Sequence, residues 1–503
     1  MMIKKIYILL LLIGSVYSES KVFASDAESG DSFGRAVSNC AEWFVVGANR
    51  DDDNGQNSGS VYVYKENGYG ELDEYKIIPN DGDYNEYFGK SLVISDDWLV
   101  VSSIYDDENG EKSGSVYVFY YNGLDWIESA KINPEDGDAY DRFGYSVDLF
   151  ENRIIVGSVY DDDYGENSGS VYIYFFNGTD WVFEDKINSI YQEAEDHFGK
   201  SSSIYNNIIA VGSYADDNGE ENVGSVSVFI FDGNSWIETQ KIFSSDASAN
   251  DYFGNEVEIF YNRLIVGSYY ADNIYDNSGS VYVYELTDEN IFEFDIKINA
   301  FDEYLNDNFG QSIAIYENFI AVGSLNDDNG TNSGAVYVYE LIDNEIVYEL
   351  KFIPEDSGEY DEFGSSVSIF NNQLIAGSQL DDDMGYDAGS AYIYQYRGCV
   401  EESACNFEEN IIPFNASCIY PENGFDCEAN CDNYTDECGV CGGLGANGDV
   451  NFDDNVNVTD IILIVDYILE NNININLCTS DINIDNIVNI TDLIMIIEII
   501  LEL

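Results

Sequence analysis

The pair Phe-Gly recurs seven times along this chain at an almost constant spacing of 54 to 56 residues. The pairs are Phe33-Gly34, Phe88-Gly89, Phe143-Gly144, Phe198-Gly199, Phe253-Gly254, Phe309-Gly310 and Phe363-Gly364. Each copy contains four short stretches with strand-like patterns, which in the first copy are residues 35–39, 43–48, 60–65 and 74–78. A repeat of this length with four strands is the signature of a β-propeller blade. The sequence therefore predicts a mainly β fold, a seven-bladed propeller over residues 19–398.

A lysine lies twelve residues before the Phe of every pair and marks the fourth strand of a blade. These lysines are Lys21, Lys76, Lys131, Lys186, Lys241, Lys297 and Lys351. The first lysine precedes the first Phe-Gly pair, whereas the seventh copy stops after its third strand at residues 390–394. We therefore expect an N-terminal strand at residues 21–25 to complete the seventh blade and close the ring, because an open ring would leave unpaired sheet edges.

The third strand of most copies alternates aliphatic and aromatic residues, as in Val61-Tyr62-Val63-Tyr64. Both faces of such a strand are apolar, and a propeller blade packs against a neighbour on each face. We therefore expect most of these aromatic side chains to form the core between blades and not a ligand platform. The pairs Asn122-Gly123, Asn177-Gly178 and Asp232-Gly233 predict tight turns between the third and fourth strands.

Each Phe-Gly pair is followed, after an apolar strand, by a small-residue pair such as Gly47-Ala48 or Gly157-Ser158. This pattern resembles the FG-GAP repeat, the unit of the integrin α-subunit propeller and of many secreted bacterial proteins. The resemblance covers residues 20–398. Integrin-type repeats often carry an aspartate-rich calcium loop after the Phe-Gly strand, but here that connection is a short turn such as residues 151–153. Integrin-type calcium sites are therefore not expected.

Two connections in each blade are rich in acidic residues. In the first blade, Asp51-Asp52-Asp53 follow the second strand, and Asp81, Asp83 and Glu86 follow the fourth. Alternate connections of a meander emerge on the same side, so both acidic sets are expected on one face of the disc. These side chains are expected to satisfy turn backbone groups; whether they also bind calcium or other cations is left open by the sequence.

The net charge limits the partners that this chain can have. It carries 96 acidic and 19 basic residues, which give a formal charge of −77. Such a charge excludes nucleic acids and anionic membrane surfaces as natural partners. Residues 1–18 read as a secretory signal, because Lys4 and Lys5 precede an apolar run at 6–16 and a small residue, Ser18. No later apolar run is long enough to span a membrane, so the protein is expected to be secreted or at the cell surface.

Seven of the nine cysteines lie between Cys399 and Cys441, within a segment, residues 399–446, that has few apolar residues. In an exported protein, disulfides are the expected staples of such a linker. Zinc bound by Cys427, Cys431, Cys438 and Cys441 is the alternative. The odd total leaves at least one thiol unpaired in a monomer, and the spacing does not determine which.

The C-terminal segment, residues 447–503, contains two copies of a twelve-residue calcium loop, 32 residues apart. Oxygen ligands recur at the loop positions that a hard cation requires. The candidate ligands are Asp449, Asn451, Asp453, Asn455, Asn457 and Asp460 in the first loop and Asp481, Asn483, Asp485, Ile487, Asn489 and Asp492 in the second. Position 6, which favours a left-handed residue, is Asp454 or Asn486, and these residue types tolerate that conformation. Apolar helices are predicted at residues 461–469 and 493–501.

An Asp at the last loop position and the 32-residue duplication resemble the dockerin type I module. This resemblance implies two calcium ions and calcium-dependent attachment to a cohesin-like scaffold or surface protein. Val458-Thr459 and Ile490-Thr491 differ from the Ser-Thr pair often found in dockerins, which leaves the partner type open.

Two classes of function follow from these observations. The first is a non-enzymatic binding or adhesion protein whose propeller binds a glycan, a protein or cations. The second is a secreted carbohydrate-active enzyme, a glycoside hydrolase or polysaccharide lyase, because such enzymes often carry dockerins. The only histidine, His197, lies at a position that varies between the copies, and the similarity of the blades indicates no catalytic carboxylate pair. No catalytic residue is assigned, and binding is the favoured hypothesis.

Overall fold

The computed structural model describes residues 17–67, 72–327, 332–342, 344–371, 373–396, 456, 458–469, 488 and 490–501. The chain forms two compact units, Met1–Tyr396 and Arg397–Leu503. The predicted linker at 399–446 and most of both calcium loops lie outside the described residues. Residues 1–16 of the predicted signal also lie outside them, so the signal and the domain boundaries stay predictions.

The first unit consists of seven four-stranded antiparallel sheets. Blades one to four comprise β2 (Phe33–Cys40), β3 (Trp43–Ala48), β4 (Ser60–Glu66) and β5 (Leu72–Ile77); β6 (Phe88–Ser95), β7 (Trp98–Ser103), β8 (Ser115–Tyr121) and β9 (Trp126–Ile132); β10 (Phe143–Phe150), β11 (Arg153–Ser158), β12 (Ser170–Phe176) and β13 (Trp181–Ile187); and β14 (Phe198–Tyr205), β15 (Ile208–Ser213), β16 (Ser225–Phe231) and β17 (Trp236–Ile242). Blades five to seven comprise β18 (Glu256–Phe260), β19 (Arg263–Ser268), β20 (Ser280–Leu286) and β21 (Phe292–Ile298); β22 (Phe309–Tyr316), β23 (Phe319–Ser324), β24 (Ala335–Ile342) and β25 (Glu345–Phe352); and β26 (Phe363–Phe370), β27 (Gln373–Ser378) and β28 (Ser390–Tyr396), with β1 (Tyr17–Val22). The prediction of a mainly β, seven-bladed propeller is confirmed.

The first strand of each blade is innermost. For example, β10 packs against β6 on one side and β14 on the other. Together the seven first strands surround a central channel, as in other propellers. Residues on these strands therefore decide what the channel can hold.

The core lies between the blades, as the alternating third strands predict. Phe143 of the Phe-Gly pair is fully buried and meets Tyr172 edge to face, with ring centres 5.3 Å apart. Aliphatic residues of one blade pack on the aromatic residues of the next, for example Val63 with Phe119 within one buried cluster. Each such side chain contributes roughly 1.5–3 kcal/mol of burial free energy, so the repeated aromatic residues mainly stabilise the scaffold.

The N-terminal strand β1 pairs antiparallel with β28, with Lys21 opposite Tyr392 and Val22 opposite Ala391. It spans Tyr17–Val22 and not the predicted residues 21–25. In every blade the fourth strand ends one residue after its lysine, because the chain then turns towards the next Phe-Gly pair. The first two residues of β1, Tyr17 and Ser18, belong to the predicted signal segment.

The predicted turns between the third and fourth strands have a common geometry. Gly123, Gly178 and Gly233 have φ values of 92°, 98° and 97°, which glycine adopts without a steric cost. The side chain of the preceding Asn122 accepts hydrogen bonds from the backbone N–H groups of Leu124 and Asp125, at 2.9 and 3.0 Å. The Asn-Gly and Asp-Gly pairs therefore fix these turns.

The second unit contains α1 (Val458–Ile468) and α2 (Ile490–Leu501) among its described residues. Both helices begin three residues earlier than predicted. Ile464 and Ile496, which occupy equivalent places in the two repeats, are fully buried in the contact between the helices. No helix in the described part of the chain has the length and apolar character needed to cross a bilayer.

Candidate functional site

In five of the seven blades the lysine of the fourth strand holds the two acidic connections together. Lys76 Nζ lies 2.7 Å from Asp26, 2.9 Å from Asp51 and 2.6 Å from Asp53. Asp26 precedes the first Phe-Gly pair, whereas Asp51 and Asp53 follow the second strand, so both acidic sets do lie on one face. Among the described residues, Lys21, Lys76, Lys131 and Lys186 each contact three carboxylates, Lys351 contacts two, and Lys241 and Lys297 contact one.

These clusters contain their own cation. Burial disfavours the ammonium form of Lys76, but the three carboxylates outweigh burial and raise its pKa above the usual range. Burial also disfavours ionised Asp246, yet Lys297, with the hydroxyls of Ser244 and Tyr282, lowers the pKa of this carboxyl to about 2. No group of three or more His, Cys, Asp or Glu side chains within the described ranges is arranged to hold a metal ion. The ammonium groups therefore provide the positive charge of these clusters.

A second set of carboxyls lies two residues before each Phe-Gly pair and accepts a hydrogen bond from the backbone three residues earlier. Glu86 accepts from the N–H of Asp83 at 2.8 Å, and Asp141 from that of Asp138 at 2.7 Å. Burial, with the charge of nearby carboxylates, raises the pKa of both groups to about 7. The pKa values of Asp31, Asp196 and Asp251 are raised to about 6 for the same reason.

These raised pKa values predict that the free energy of unfolding of the propeller is largest at mildly acidic pH. A carboxyl whose pKa is higher in the folded state than its unfolded value of about 4 takes up a proton on folding. Its contribution to the free energy of unfolding therefore grows as the pH falls from about 8 to about 4. Below about pH 4, lowered-pKa groups such as Asp246 act in the opposite sense and stability is lost. Thermal unfolding followed by circular dichroism between pH 3 and 8 measures this profile.

The variant Glu86→Gln tests the cause of this profile, because the amide keeps the acceptor oxygen and cannot ionise. We expect a higher unfolding midpoint at pH 8, by a free energy on the order of 1 kcal/mol, and a shallower rise towards acid. Exposed Glu66→Gln at the end of β4 is the matched control and should leave the profile as it is. A lower midpoint for Glu86→Gln at pH 8 would contradict the assignment.

The repeat symmetry breaks in the central channel, which has a volume of about 520 Å³. Six of the seven residues that directly follow a Phe-Gly pair line this channel, all except the one in blade five, and six residue types occur at this position in the seven blades. In chain order the seven residues are Arg35, Lys90, Tyr145, Lys200, Asn255, Gln311 and Ser365. In blade five the first strand begins late, at Glu256, which also lines the channel. The channel is thus the place where the blades are chemically distinct.

Three of these residues form a cationic cluster around one tyrosine. Lys90 Nζ and Lys200 Nζ lie 5.6 and 5.5 Å from the centre of the Tyr145 ring, a cation–π geometry. Lys200 also donates to the carbonyl of Asn255 at 3.4 Å. Within the described residues, the side chains of Arg35 and Lys90 form no ion pair. The two cations are therefore not neutralised by a direct carboxylate contact.

Burial shifts the pKa values of charged groups in this cluster. Burial, followed by the charges of Arg35 and Lys200, lowers the pKa of Lys90 well below its usual range. Burial likewise raises the pKa of Glu256, although Lys200, Lys90 and Arg35 oppose that shift. Both shifts have the sign expected for charges held away from water. A bound anion would favour the charged form of Lys90.

An arc of aromatic and cationic side chains adjoins the cluster. The Arg142 guanidinium lies 4.4 Å from the Tyr160 ring centre. His197 lies 5.2 Å from Tyr160 and stacks on Tyr214 at 5.2 Å. The arc reaches the channel because Lys200 lies 5.9 Å from the Tyr214 ring and Tyr145 lies 6.4 Å from that of Tyr160. These side chains come from the residue before Phe-Gly and from the residues after the second strand.

Several polar atoms of this region have no hydrogen-bond partner. They include Nδ2 of Asn255, a residue only 2% exposed, Nε of Arg142 and both ring nitrogens of His197. The nearest carboxylate to His197, that of Glu195, is 3.5 Å from Nε2. Burial lowers the pKa of His197, so this ring is neutral at neutral pH. Unsatisfied buried polar atoms are rare in folded proteins, and these lie beside the cationic cluster and the aromatic arc.

Two further carboxylates that line the channel accept hydrogen bonds from a neighbouring blade. Asp148 accepts hydrogen bonds from the N–H of Ile204 at 2.8 Å and from the Ser203 hydroxyl at 3.0 Å. Glu258 accepts from the N–H of Ile315 at 3.2 Å. Each side chain thus satisfies the inner-edge backbone of the next blade. They join neighbouring blades, and Glu256 is the carboxylate that interacts with Arg35, Lys90 and Lys200.

Aromatic rings line the opposite end of the first strands. Phe150 and Tyr205 have ring centres 4.7 Å apart, and Tyr205 and Phe260 are 5.5 Å apart. The row continues through Tyr316, 5.0 Å from Phe260, to Phe370, 4.7 Å from Tyr316. The channel therefore has one end rich in cations and donors and one end that is largely apolar.

The sequence-predicted calcium ligands are only partly described. Asp460 lies in the first turn of α1 and Asp492 in the first turn of α2. The other ten, Asp449, Asn451, Asp453, Asn455, Asn457, Asp481, Asn483, Asp485, Ile487 and Asn489, lie outside the described residues. Cys40, one of the nine cysteines, has a free, buried thiol, whose pKa burial raises to about 12.

Sequence reasoning missed the channel, although the sequence contained a signal for it. The lysine twelve residues before Phe-Gly is the same in all seven copies, whereas the residue directly after Phe-Gly is one of six different types. The position after Phe-Gly varies although the rest of the repeat is regular, and in this acidic chain it carries Arg35, Lys90 and Lys200. Such a position is not needed for the scaffold and is therefore a candidate for a function of its own.

Two family models match this chain and agree with its architecture. A family model of the FG-GAP repeat matches residues 17–64, 72–119, 126–174, 181–229, 236–284, 292–339 and 347–394. A model of the dockerin type I domain matches residues 447–501. No curated protein matches the chain. Among solved structures, the crystal structure of Saccharomyces cerevisiae Sqt1 is similar, with a TM-score of 0.41 and 12% identity over 73% of this chain and 97% of that one.

Proposed function

Since this chain belongs to the FG-GAP repeat family and carries a dockerin type I domain, we propose that it is a non-enzymatic binding module that attaches to a cohesin-bearing scaffold outside the cell. The observation that carries this proposal is the joining of a seven-bladed propeller to a dockerin domain in one chain. The dockerin domain implies a cohesin partner, and proteins with this domain are typically extracellular or on the cell surface. The predicted signal at residues 1–18 and linker at 399–446 fit that arrangement.

The exposed surface of the helix pair supports attachment through this domain. Ile462 and Ile494 are 55% and 50% exposed, although Ile464 and Ile496, two residues further along each helix, are fully buried. The two exposed residues occupy equivalent places 32 residues apart. Exposed apolar side chains on a small domain favour a protein partner. We assign two calcium ions to the loops that precede these helices, held by the twelve ligands predicted above.

Removal of calcium is expected to abolish attachment, because metal binding and folding are coupled in such loops. The full chain would be titrated against a panel of immobilised cohesin modules by surface plasmon resonance, with calcium or with a chelator. The double variant Asp453→Ala/Asp485→Ala should lose binding in calcium. Asp97→Ala, an exposed propeller carboxylate, is the control and should bind as the parent does. Binding that survives both chelation and the double variant would refute the proposal.

The propeller chemistry favours binding over catalysis. Glycoside hydrolysis usually needs two carboxyl groups facing one bond, but Asp148 and Glu258 accept backbone hydrogen bonds from the neighbouring blade. The ring of the single histidine lies against tyrosines, and neither of its nitrogens has a hydrogen-bond partner in the described structure. A carbohydrate-active enzyme is the second candidate, favoured by Glu256, whose burial-raised pKa suits a general acid. Release of reducing sugar from a polysaccharide panel distinguishes the two, and none is expected.

We also infer that β1 closes the propeller ring. It occupies in the seventh blade the place that the fourth strand occupies in the others. Its lysine, Lys21, reaches Asp356, Asp381 and Asp383 as the other lysines reach their own clusters. The two ends of the propeller sequence are thereby joined within one sheet.

A further inference from the structure

We propose that the cationic end of the central channel binds an anionic saccharide, with the carboxylate or sulfate of one sugar unit between Arg35, Lys90 and Lys200. This assignment rests on the proposed role of the propeller as a binding module and names its ligand class. It concerns a site made of side chains from blades one to five. These side chains lie far apart in sequence and meet only in the channel.

The distribution of charge in the chain is the first observation that favours an anionic ligand. The chain has 19 basic residues against 96 acidic ones, and the seven repeated lysines all contact carboxylates in the described structure. Lys90 and Arg35 do not, although they are enclosed by the first strands. Enclosing an unpaired cation is costly. Arg35, Lys90 and Lys200 are half-buried in the channel and interact there with the carboxylate of Glu256. Three cations against this one carboxylate favour an anion from outside.

The aromatic arc beside the cluster is the second observation, and it favours a sugar as the ligand. Tyr105, Tyr160, Tyr214 and Tyr252 are half-buried, so each keeps part of its ring surface accessible. Tyrosine offers an apolar ring and a polar hydroxyl in one side chain, which suits the mixed surface of a sugar. A channel of about 520 Å³ has the size of a small-ligand site. An inorganic anion alone would leave the arc unused.

Hydrogen-bond donors without a partner are the third observation, and they favour a ligand with several oxygen atoms. Asn255 Nδ2 is buried and has no hydrogen-bond partner, and Arg142 Nε is in the same state. Both belong to the region of the cluster and the arc, because Asn255 accepts from Lys200 through its carbonyl and Arg142 packs on Tyr160. Sugar hydroxyls and ring oxygens are acceptors of the kind these donors lack. The donors thus extend the site beyond a single anionic group.

The acidic face limits the ligand to a short or terminal unit. The first strands begin at the end where the acidic connections lie, so a ligand approaches the cluster past many carboxylates. A long polyanion would be repelled there. A saccharide with one anionic group in the channel avoids most of that repulsion.

The test is isothermal titration calorimetry on the full chain in calcium. The probes are trigalacturonate and a sulfated galactose trisaccharide, with neutral galactotriose, sodium acetate and sodium sulfate as comparators. We expect at least one charged trisaccharide to bind, with galactotriose and the simple salts at least about tenfold weaker. Lys90→Gln should weaken binding by about 10- to 100-fold, the loss of one charge-assisted contact. Lys90→Arg should retain most of the affinity, and Lys65→Gln, which removes a half-buried lysine outside the channel that is paired with Glu42, should not change binding.

The unfolding midpoint of each variant separates binding from folding. Lys90→Gln removes an unpaired enclosed charge and should keep or raise the midpoint. A site with a purely structural lysine would give a lower midpoint and no difference between the charged and neutral sugars. The proposal is overturned if neither charged trisaccharide binds, if galactotriose binds as tightly, or if only the simple anions bind. Cleavage of a bound sugar would refute the non-enzymatic function and leave the site standing, and cohesin binding by the same sample tests attachment separately.

Discussion

A chain that lacks β1 is expected to be unfolded, or to melt far below the intact protein. Removing residues 17–22 exposes the edge of β28 along six paired positions and takes Lys21 away from three carboxylates. One of these, Asp381, has a side chain only 2% exposed, so it would be left as a buried, unpaired charge. Broken hydrogen bonds at roughly 1 kcal/mol each and the unpaired charge at about 3 kcal/mol together approach the whole stability of a typical domain.

Thermal unfolding by near-ultraviolet circular dichroism measures this effect on a propeller that begins at Phe23. The control Lys21→Met keeps the strand and removes only the ammonium group, so it isolates the contribution of the cluster. We expect the control to melt between the intact and the truncated chains. A truncated chain with an unchanged midpoint would show that the ring is stable without its N-terminal strand.

Much of the propeller could be predicted because its determinants are local and repeated. Phe143 fills the same place in its blade as Phe88 and Phe198 do in theirs, and all three are fully buried. A period of two in the third strand places its residues on two packed faces. Errors were confined to strand ends, as at β1, because an end depends on where the chain turns and not on the pattern within the strand.

The role of the lysines could not be predicted in the same way. Lys76 marks a strand in the sequence, but its carboxylate partner Asp26 lies 50 residues earlier, on the connection from blade seven into blade one. Sequence spacing gives the regularity of such a residue and not its contact. The acidic connections were correctly placed on one face, whereas the cation among their side chains is visible only once the blades are assembled.

The channel site is still less accessible to sequence reasoning. Arg35 and Lys200 are three blades apart, and only closure of the ring brings them to the same cavity. Reasoning from what the copies share emphasises the scaffold, while a binding site arises where the copies differ. In the C-terminal domain the reverse holds, because the calcium loops are contiguous and their ligand spacing is readable without a fold.

Gly169→Ala is expected to destabilise the propeller by about 2–5 kcal/mol. Gly169 has a φ of 85°, and a Cβ at this position would lie 2.0 Å from the carbonyl oxygen of Phe198 and 2.8 Å from its nitrogen. This residue pairs with Phe198 across the boundary to the next blade, so the backbone cannot move away without separating the blades. The left-handed conformation costs roughly 1–2 kcal/mol, and overpacking adds about 1–3 kcal/mol. Chemical denaturation of the parent and the variant measures the loss, provided that the unfolding free energy depends equally on denaturant concentration in both.

Gly178→Ala is the matched control, because it separates the backbone conformation from the contact between blades. Gly178 has a φ of 98°, and nothing lies within 4 Å of a Cβ built on it. It should therefore lose only the conformational part, about 1–2 kcal/mol. The difference between the two variants is the cost of pushing one blade from the next. Equal losses at both sites would mean that the blades can separate at Gly169 without penalty, and that the glycine before each third strand serves the turn alone.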